Sequence, residues 1–303
     1  MQHITDEMIE RLLTPEDAER AMEQAYTSFA NGAAAMQERI RTEAGRVKLS
    51  TLGAVIPDMG VTGAKVYTTI NGQFRFVILV FSTEDGRPLA SLDAGVITRL
   101  RTAACSVIAA RRMANPGART MALYGAGVQG VAHAEQFAKA FALERIAVHD
   151  PYAAPGLAER LSASCGLRVD MVPADQAVLD ADIVVTASRS TEPLFTGDSL
   201  KPGCFVAAIG SSLPHTRELD DAALRRCSAL VVEWKQQAMR EAGDIVRAGP
   251  DALDPAKILE FGEVVSGQLK PRRSPQDILI YKAVGVGLQD VALAALAVQR
   301  LSA

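Results

Sequence analysis

Cysteine is scarce in this sequence of 303 residues, and positive charge does not cluster. The cysteines lie too far apart for a paired metal-ligand motif or a redox pair, so we interpret them as reduced thiols of a cytoplasmic protein. They are Cys105, Cys165, Cys204 and Cys227. No group of His, Cys and carboxylate residues has metal-site spacing, and we expect no metal. A net charge of −3, without a basic or aromatic-interleaved stretch, argues against a nucleic-acid partner.

Export signals and membrane-spanning runs are also missing. The N-terminus reads Met-Gln-His-Ile-Thr-Asp-Glu, without the basic start and apolar core of an export signal. The most apolar late segment, 284–298, is interrupted by Gln289 and Asp290. It falls short of the ~18 uninterrupted apolar residues that a membrane span needs. We therefore expect a buried helix there and no membrane partner.

The chain length predicts about two domains, each able to bury an ordinary core. A helix is predicted over 93–114, and Asn115-Pro116-Gly117 ends it. We place a domain boundary there. The run 76–81 is continuously apolar, which predicts a strand covered on both faces. Strand patterns before the boundary cover residues 47–55, 64–70, 76–81 and 89–92.

Beyond residue 119, strand and helix patterns alternate, which predicts an α/β domain built on a doubly wound parallel sheet. Strands are expected near 120–124, 145–149, 167–172, 182–187, 204–209 and 229–233. Ser188 follows one of these strands, at the carboxyl edge where such sheets hold ligands. We therefore count Ser188 among the candidate cofactor contacts.

The first predicted strand of this domain runs into Gly125-Ala126-Gly127-Val128-Gln129-Gly130, followed by an alanine-rich helical pattern. Gly125 permits a tight turn, Gly127 lets the backbone approach a pyrophosphate, and Gly130 lets the helix pack on the strand. Phosphates would bind the N–H groups at the helix N-terminus. We interpret all six residues as a dinucleotide-binding loop, with a purely structural glycine turn as the alternative.

The type of dinucleotide depends on Asp150. This residue ends the next strand, 20 residues after Gly130, where an acidic side chain accepts hydrogen bonds from a ribose diol. A carboxylate at this position repels a 2′-phosphate. The sequence therefore favours NAD over NADP, with NADP possible because His149 or Arg189 can weaken the preference.

Arg101 interrupts an apolar helix face. Ile97, Arg101, Ala104 and Ile108 recur at helical spacing, so a guanidinium occupies one position of the stripe. Burying that charge without a partner is costly. Either Arg101 pairs with a protein carboxylate or reaches the surface, or it binds an anionic substrate, for which its planar fork of donors is suited.

Several segments together resemble the ornithine cyclodeaminase/mu-crystallin family. The resemblance covers nearly the whole chain and is far more specific than the glycine loop alone. Its motifs are Arg101-Thr-Ala-Ala104, the loop 125–130 with Gln129, Gly210-Ser-Ser-Leu-Pro-His-Thr-Arg-Glu-Leu219, Gly243-Asp244, and Lys282-Ala-Val-Gly285 to Asp290.

The resemblance implies a substrate-binding and dimerisation domain of α+β type over 1–115. A C-terminal helix, about 283–303, returns to that domain, and a Rossmann-type domain covers 116–282. It also implies a homodimer. Family members use a nicotinamide cofactor to interconvert small amino acids with imino or keto acids. The carboxylate-binding arginines of the family fall on Arg41 and Arg101, and its active-site lysine falls on Lys65. Arg39 and Arg46 compete with Arg41 for that role.

Two positions depart from the cyclodeaminase pattern. Those enzymes carry an aspartate where this chain has Ser212, and an acidic residue where it has Ala54. A serine hydroxyl cannot supply a negative charge. Ketimine reductases similar to mu-crystallin carry serine there, so we count Ser212 as a catalytic candidate beside Lys65. We favour imino acid reduction or amino acid oxidation over cyclodeamination of ornithine. A binding protein that has lost turnover stays a third alternative.

Overall fold

The computed structural model describes residues 1–302 and divides into two compact units. Unit 1 comprises Met1–Cys105 and Gly285–Ala303, and unit 2 comprises Ser106–Val284. The division falls inside one continuous helix, Gly95–Met113, and not at its predicted end near Asn115. The helix does end where the sequence predicts, but its buried face continues on both sides of the division. Among the described residues, no helix is long and apolar enough to cross a membrane.

Unit 1 contains seven strands and the first helices of the chain. Its elements are β1 (Gln2–Ile4), α1 (Asp6–Leu12), α2 (Pro15–Ala30), β2 (Ala35–Met36), β3 (Ile40–Ala44), β4 (Val47–Ile56), β5 (Val61–Ile70), β6 (Gln73–Ser82), β7 (Pro88–Asp93) and the first part of α3 (Gly95–Met113). The strand order is β1-β7-β6-β5-β4-β2, with β3 also paired to β4. All pairs are antiparallel except β1 with β7.

One face of this sheet is closed by the last helix of the chain, Gly287–Ser302, which packs against β4, β5 and α2. Gly287 lies directly on the backbone of Gly53 in β4, where a Cβ atom would collide. The other face keeps exposed apolar side chains, including Val77, which is 37% exposed. Within a single chain β6 thus belongs to an antiparallel sheet with one covered face, and coverage of strand 76–81 on its second face stays a prediction.

Unit 2 continues α3 and adds eight strands. Its elements are β8 (Thr120–Tyr124), α4 (Val128–Ala140), β9 (Arg145–His149), α5 (Leu157–Cys165), β10 (Arg168–Met171), α6 (Ala174–Ala177), β11 (Ile183–Thr186), β12 (Phe205–Ala208), α7 (Asp221–Arg226), β13 (Ala229–Val232), α8 (Lys235–Glu241), α9 (Gly243–Val246), β14 (Ile258–Glu260), α10 (Phe261–Val265) and β15 (Leu279–Lys282). The helix Gly287–Ser302 that belongs to unit 1 follows as α11.

The unit 2 sheet has the order β10-β9-β8-β11-β12-β15-β13-β14, and every pair in it is parallel. The six predicted strands form within one residue of their expected ends, whereas β14 and β15 were not predicted. The strand order reverses between β8 and β11, and ligands of open α/β sheets bind outside the carboxyl ends of strands at such a point. The prediction of a doubly wound parallel sheet is confirmed.

Candidate active site

The glycine loop lies at the reversal point of the unit 2 sheet. Gly125 has a φ of +84°, and a Cβ there would lie 2.8 Å from the carbonyl oxygen of Ala187. Gly130 packs directly on the carbonyl of Gly125, which leaves no room for a side chain. Gly127 is the N-cap of α4 and has open space around its Cα. As the N-cap, Gly127 has no side chain that could occupy the first N–H groups of α4.

Asp150 connects the end of β9 to this loop. Its Oδ2 accepts a hydrogen bond from the backbone N–H of Ala126 at 2.8 Å, and its Oδ1 accepts one from Tyr152 N–H at 2.9 Å. The carboxylate therefore fixes the loop that would hold a pyrophosphate. It stays half-buried beside that loop, where a ribose diol can also bind it. The uncapped helix, the open glycine and this carboxylate fit a dinucleotide.

Ser188 lies across the loop from Gly125 and is held by a buried carboxylate, Glu218. The Oε1 atom of Glu218 accepts from Ser188 N–H at 2.8 Å and from Ser188 Oγ at 2.7 Å. Its Oε2 accepts from Thr186 Oγ1 at 2.9 Å, Gly210 N–H at 2.8 Å and Ser211 N–H at 3.0 Å. One carboxylate thus joins the segment after β11 to the segment after β12. Sequence reasoning missed this role, although Glu218 belongs to a motif that carried the family resemblance.

Glu218 is supported by a buried ion pair between Asp244 and Lys282. Asp244 Oδ1 accepts from the N–H groups of Glu218 and Leu219, and Asp244 Oδ2 lies 2.9 Å from Lys282 Nζ. Lys282 also donates to Ala208 O at 3.1 Å, which ties the ends of β15 and β12 together. Burial raises the pKa of Glu218, while the Lys282 charge and the Ser188 donors act in the opposite direction. All five donors fit the ionised carboxylate.

Unit 1 contains a second cluster of buried charge around Lys65. Lys65, on β5, is 3% exposed, and its Nζ lies 2.8 Å from Asp290 Oδ2. Arg101, on α3, is 5% exposed and donates from Nε to Asp290 Oδ1 at 3.2 Å. Its Nη1 donates to Gln289 Oε1 at 2.6 Å. Arg101 therefore does pair with a protein carboxylate, and Lys65 and Arg101 share that partner.

The charges of this cluster shift one another's proton affinities. Burial lowers the pKa of Lys65 to about 8; Asp290 opposes this shift, and Arg101 and Arg39 reinforce it. Burial favours the neutral form of Asp290, yet Arg101 and Lys65 hold the pKa of its carboxyl below the ordinary value. A lysine with a pKa near 8 can give or take a proton near neutral pH.

The structure brings Arg39 to Arg101. Arg39 donates from Nη2 to the carbonyl oxygen of Gly285 at 2.6 Å. A Cβ on Gly285 would lie 3.1 Å from Arg101 Nη2 and 3.5 Å from Arg39 Nη2, so both guanidinium groups flank this glycine. Arg39 was one of the two predicted competitors of Arg41. The other, Arg46, is exposed at the turn between β3 and β4.

Arg41 lies on the same sheet face as Lys65. It pairs with Ser50 across β3 and β4, Ser50 pairs with Tyr67 on β5, and Tyr67 is two residues from Lys65. Because directly paired residues and residues two apart share a face, all four side chains belong to one side of the sheet. Arg41 is half-buried there. Its register is thus compatible with the predicted role beside Lys65.

The two departures from the cyclodeaminase pattern lie at different places. Ala54 is buried on β4, on the same face as Leu52, which pairs with Lys65. An acidic side chain there would face the Lys65 cluster, and this chain has a methyl group. Ser212 is half-buried and follows Ser211, whose N–H is held by Glu218.

Comparisons with known proteins agree with this architecture. The family model described as Ornithine cyclodeaminase/mu-crystallin family matches residues 1–303. The ketimine reductase mu-crystallin of Mus musculus is 34% identical over 220 residues, which cover 72% of this chain and 67% of the mouse protein. The resemblance predicted from the motifs is therefore confirmed.

Several solved structures match over the whole chain, including the following two. A probable ornithine cyclodeaminase from Bordetella pertussis Tohama I is 58% identical with a TM-score of 0.98, covering 100% of this chain and 97% of that chain. The Delta(1)-pyrroline-2-carboxylate reductase of Thermococcus litoralis, in complex with NADH and L-proline, is 26% identical with a TM-score of 0.94, covering 100% and 98%.

Proposed function

Because the chain belongs to the ornithine cyclodeaminase/mu-crystallin family, we propose that it is an NAD-dependent oxidoreductase acting on a small imino or amino acid. Relatives of this family are ketimine reductases, pyrroline-2-carboxylate reductases and alanine dehydrogenases. The observation that carries the proposal is the buried set of Lys65, Arg101 and Asp290. A lysine and a guanidinium that share one carboxylate can bind an α-carboxylate and exchange a proton in the same place.

The cofactor site of the proposal consists of residues 125–130, Asp150 and Ser188. The N–H groups at the start of α4 would bind the pyrophosphate, and Asp150 the ribose diol. Bound NADH supplies the hydride that the reaction consumes. The negative charge of Asp150 favours NADH over NADPH, since a 2′-phosphate would meet a carboxylate of the same sign.

The substrate residues of the proposal are Arg101, Arg41 and Lys65. The guanidinium groups bind the substrate carboxylate and orient the carbon that accepts the hydride. The Lys65 ammonium gives its proton to the imine nitrogen, which leaves a neutral Lys65 amine and a protonated C=N bond. Hydride addition at carbon then gives the amine, so that one hydride and one proton are consumed per imine. Amino acid oxidation is the same sequence reversed.

Ser212 and Ala54 favour imino acid reduction over cyclodeamination. The carboxylates that cyclodeaminases carry at these positions would engage the distal amine of ornithine, and neither Ser212 nor Ala54 can do so. Ornithine cyclodeaminase stays the second candidate because the Bordetella relative, 58% identical, bears that name.

We further propose a homodimer formed through the outer face of the unit 1 sheet, located in the cytoplasm. This face presents a row of exposed apolar side chains, namely Ile40, Val47, Leu49, Val55, Ile70 and Val77. A contiguous exposed apolar face of this kind is typical of an oligomer interface. The four cysteines are free in the structure, as expected in a reducing compartment.

One assay tests the proposed reaction. Purified protein and NADH are mixed with five- and six-membered cyclic ketimine carboxylates and with pyruvate plus ammonia, and the loss of NADH absorbance is followed. Turnover of at least one imino acid supports the proposal. Release of ammonia from ornithine with a trace of NAD, and no NADH-dependent reduction, identifies a cyclodeaminase. Tight NADH binding without any turnover identifies a binding protein.

A further inference from the structure

Asp290 contacts both of the cations assigned to the substrate. It lies in the first turn of α11, is 0% exposed, and uses a different oxygen for each partner. Oδ2 lies 2.8 Å from Lys65 Nζ, and Oδ1 lies 3.2 Å from Arg101 Nε. Because the two contacts use separate oxygens, the orientation of the carboxylate fixes the position of both cations at once.

Other groups hold the cluster in one arrangement. Gln289 accepts from Arg101 Nη1 and donates from Nε2 to the hydroxyl of Tyr26 at 2.8 Å. Thr98, on α3, accepts from Lys65 Nζ at 3.4 Å, and the ring of Phe76 lies 5.2 Å from the same nitrogen. Rotating Asp290 away would break its contacts with β5 and α3. The neighbours fix the side chains before any ligand arrives, as a preorganised site requires.

The charges that face Lys65 come from three directions. Asp290 approaches from α11, Arg101 from α3, and Arg39 from the segment before β3. Two of these groups are positive and one is negative. Burial and both guanidinium groups disfavour the ammonium form of Lys65, and Asp290 favours it. Removing the negative charge leaves Lys65 with like charges alone.

We propose that Asp290 is a positioning residue that fixes Lys65 relative to Arg101 and keeps the Lys65 amine protonated for delivery of its proton to an imine. The inference rests on the proposed function, in which Lys65 is the proton donor. It assigns a role to a carboxylate that touches neither substrate nor cofactor and acts through Lys65.

The test compares Asp290→Asn with a matched variant, Asp17→Asn. Asp17 is also buried, at 2% exposure, and is also paired with two cations, Arg20 and Arg300, but it caps α2 and does not contact Lys65. In the reductive direction, we expect activity to fall as pH rises through the pKa of Lys65, near 8. In Asp290→Asn this fall is expected at a pH lower by about 1 unit or more. In Asp17→Asn it stays in place while the melting temperature decreases.

A second measurement needs no turnover. The protein contains eight lysines, so 13Cε-labelled lysine gives a small set of NMR signals, and Lys65→Met identifies the one of interest. Its titration midpoint is expected to decrease in Asp290→Asn and not in Asp17→Asn. If NMR shows this decrease but the protein turns over no imino acid, the effect of Asp290 on Lys65 protonation stands. Only the proposed function is then overturned.

Asp290→Glu covers the case in which Asp290→Asn fails to fold. This variant keeps the charge and lengthens the side chain, so the pH at which activity falls should stay unchanged while kcat decreases by about 10-fold or more. The KM for NADH should not change. Wild-type kcat in Asp290→Glu, or an unchanged Lys65 titration in Asp290→Asn, would overturn the proposal.

Discussion

The carboxylate of Asp150 accepts a hydrogen bond from the backbone N–H of Ala126, so the residue to which we assign cofactor selection also holds the proposed dinucleotide-binding loop. The two roles use the same side chain but different properties. Holding the loop needs an acceptor oxygen, whereas discrimination against a 2′-phosphate needs a negative charge. Replacing the Asp150 carboxylate with an amide keeps an acceptor oxygen and removes the negative charge, so this substitution separates the two roles.

Asp150→Asn should therefore bind NADH nearly as the wild type does and bind NADPH more tightly. Repulsion between two charges at about 4 Å near a protein surface is about 4 kcal/mol, and about 1.4 kcal/mol is tenfold in affinity, so we expect the NADH preference to decrease by about 10-fold or more. Calorimetric dissociation constants for both nucleotides test this. Tighter binding of NADPH than NADH by the wild-type protein would contradict the assignment.

Arg101→Lys keeps the charge next to Asp290 and removes the planar fork of donors. The KM for a carboxylate substrate should increase about 10- to 100-fold, the usual range for losing a charge-assisted hydrogen bond, with unchanged NADH affinity. Arg99→Lys is the matched control, since Arg99 lies on the same helix and pairs with Glu10 at the surface. Parallel losses of substrate and NADH affinity in Arg101→Lys would exclude a substrate role.

Glu218→Gln replaces one of the two carboxylate oxygens, which together accept five hydrogen bonds, with an NH2 group that cannot accept them. The segments that carry Ser188 and Ser212 should lose their common anchor, and NADH affinity and kcat should both decrease. Asp182→Asn serves as control: Asp182 accepts from Arg119 N–H and Thr120 N–H at the opposite ends of the strands. It should lower the melting temperature without changing NADH affinity. Equal NADH affinity in wild type and Glu218→Gln would show that Glu218 supports only the fold and not the cofactor site.

His133 makes unit 2 sensitive to acid. It is buried on α4 and bonds to Gln129 O and Ser106 Oγ, and burial lowers its pKa to about 4. The unfolded chain, with a histidine pKa of about 6.5, binds the proton more readily. Stability is therefore complete above pH ~6.5 and is lost as the pH falls toward ~4.

Between pH 7.5 and 5 the loss from His133 should be about 2 kcal/mol in the free energy of unfolding. Urea titrations at both pH values measure it, and His133→Gln should reduce the difference by that amount. His215→Gln, at an exposed loop position, should leave the difference as it is in the wild type. The same pH dependence in His133→Gln and wild type would refute the assignment.

Leu49→Lys should convert the proposed dimer to a monomer, because it places a charge in the middle of the outer face of the unit 1 sheet. Leu49 is 44% exposed, and Leu179, in unit 2, is 55% exposed and provides the control Leu179→Lys. Light scattering during gel filtration gives the mass of each variant. A wild-type monomer, or a dimer that persists in Leu49→Lys, would exclude this interface.

The parallel sheet and its glycine loop were predictable because local patterns determine them. Short apolar strands, a glycine triplet and Asp150 all lie within about 30 residues of one another, the length of a βαβ unit. The strand β15 was not predicted, since its apolar run before Lys282 covers only residues 278–281. Its place in the middle of the sheet follows from pairing with β12 and β13, which are distant in sequence.

The Lys65 cluster was only half predictable. Lys65 and Arg101 were identified from motifs, but their shared partner, Asp290, lies 189 residues from Arg101 in sequence. The signal was present, because Gln289 and Asp290 interrupt an otherwise apolar helix. Arg39 and Arg41 could not be separated, since the sequence does not show that β3 begins after Arg39.

The chain path has a consequence for synthesis on the ribosome. Lys65 and Arg101 are made well before Asp290, which follows Arg101 by 189 residues and comes after all the strands of the parallel sheet. Until α11 emerges, Lys65 and Arg101 lack the carboxylate that they share in the folded protein, and burying them without it would be unfavourable. The N-terminal unit is thus held back from completing its core until the nucleotide-binding unit, which is continuous in sequence, has had the chance to fold.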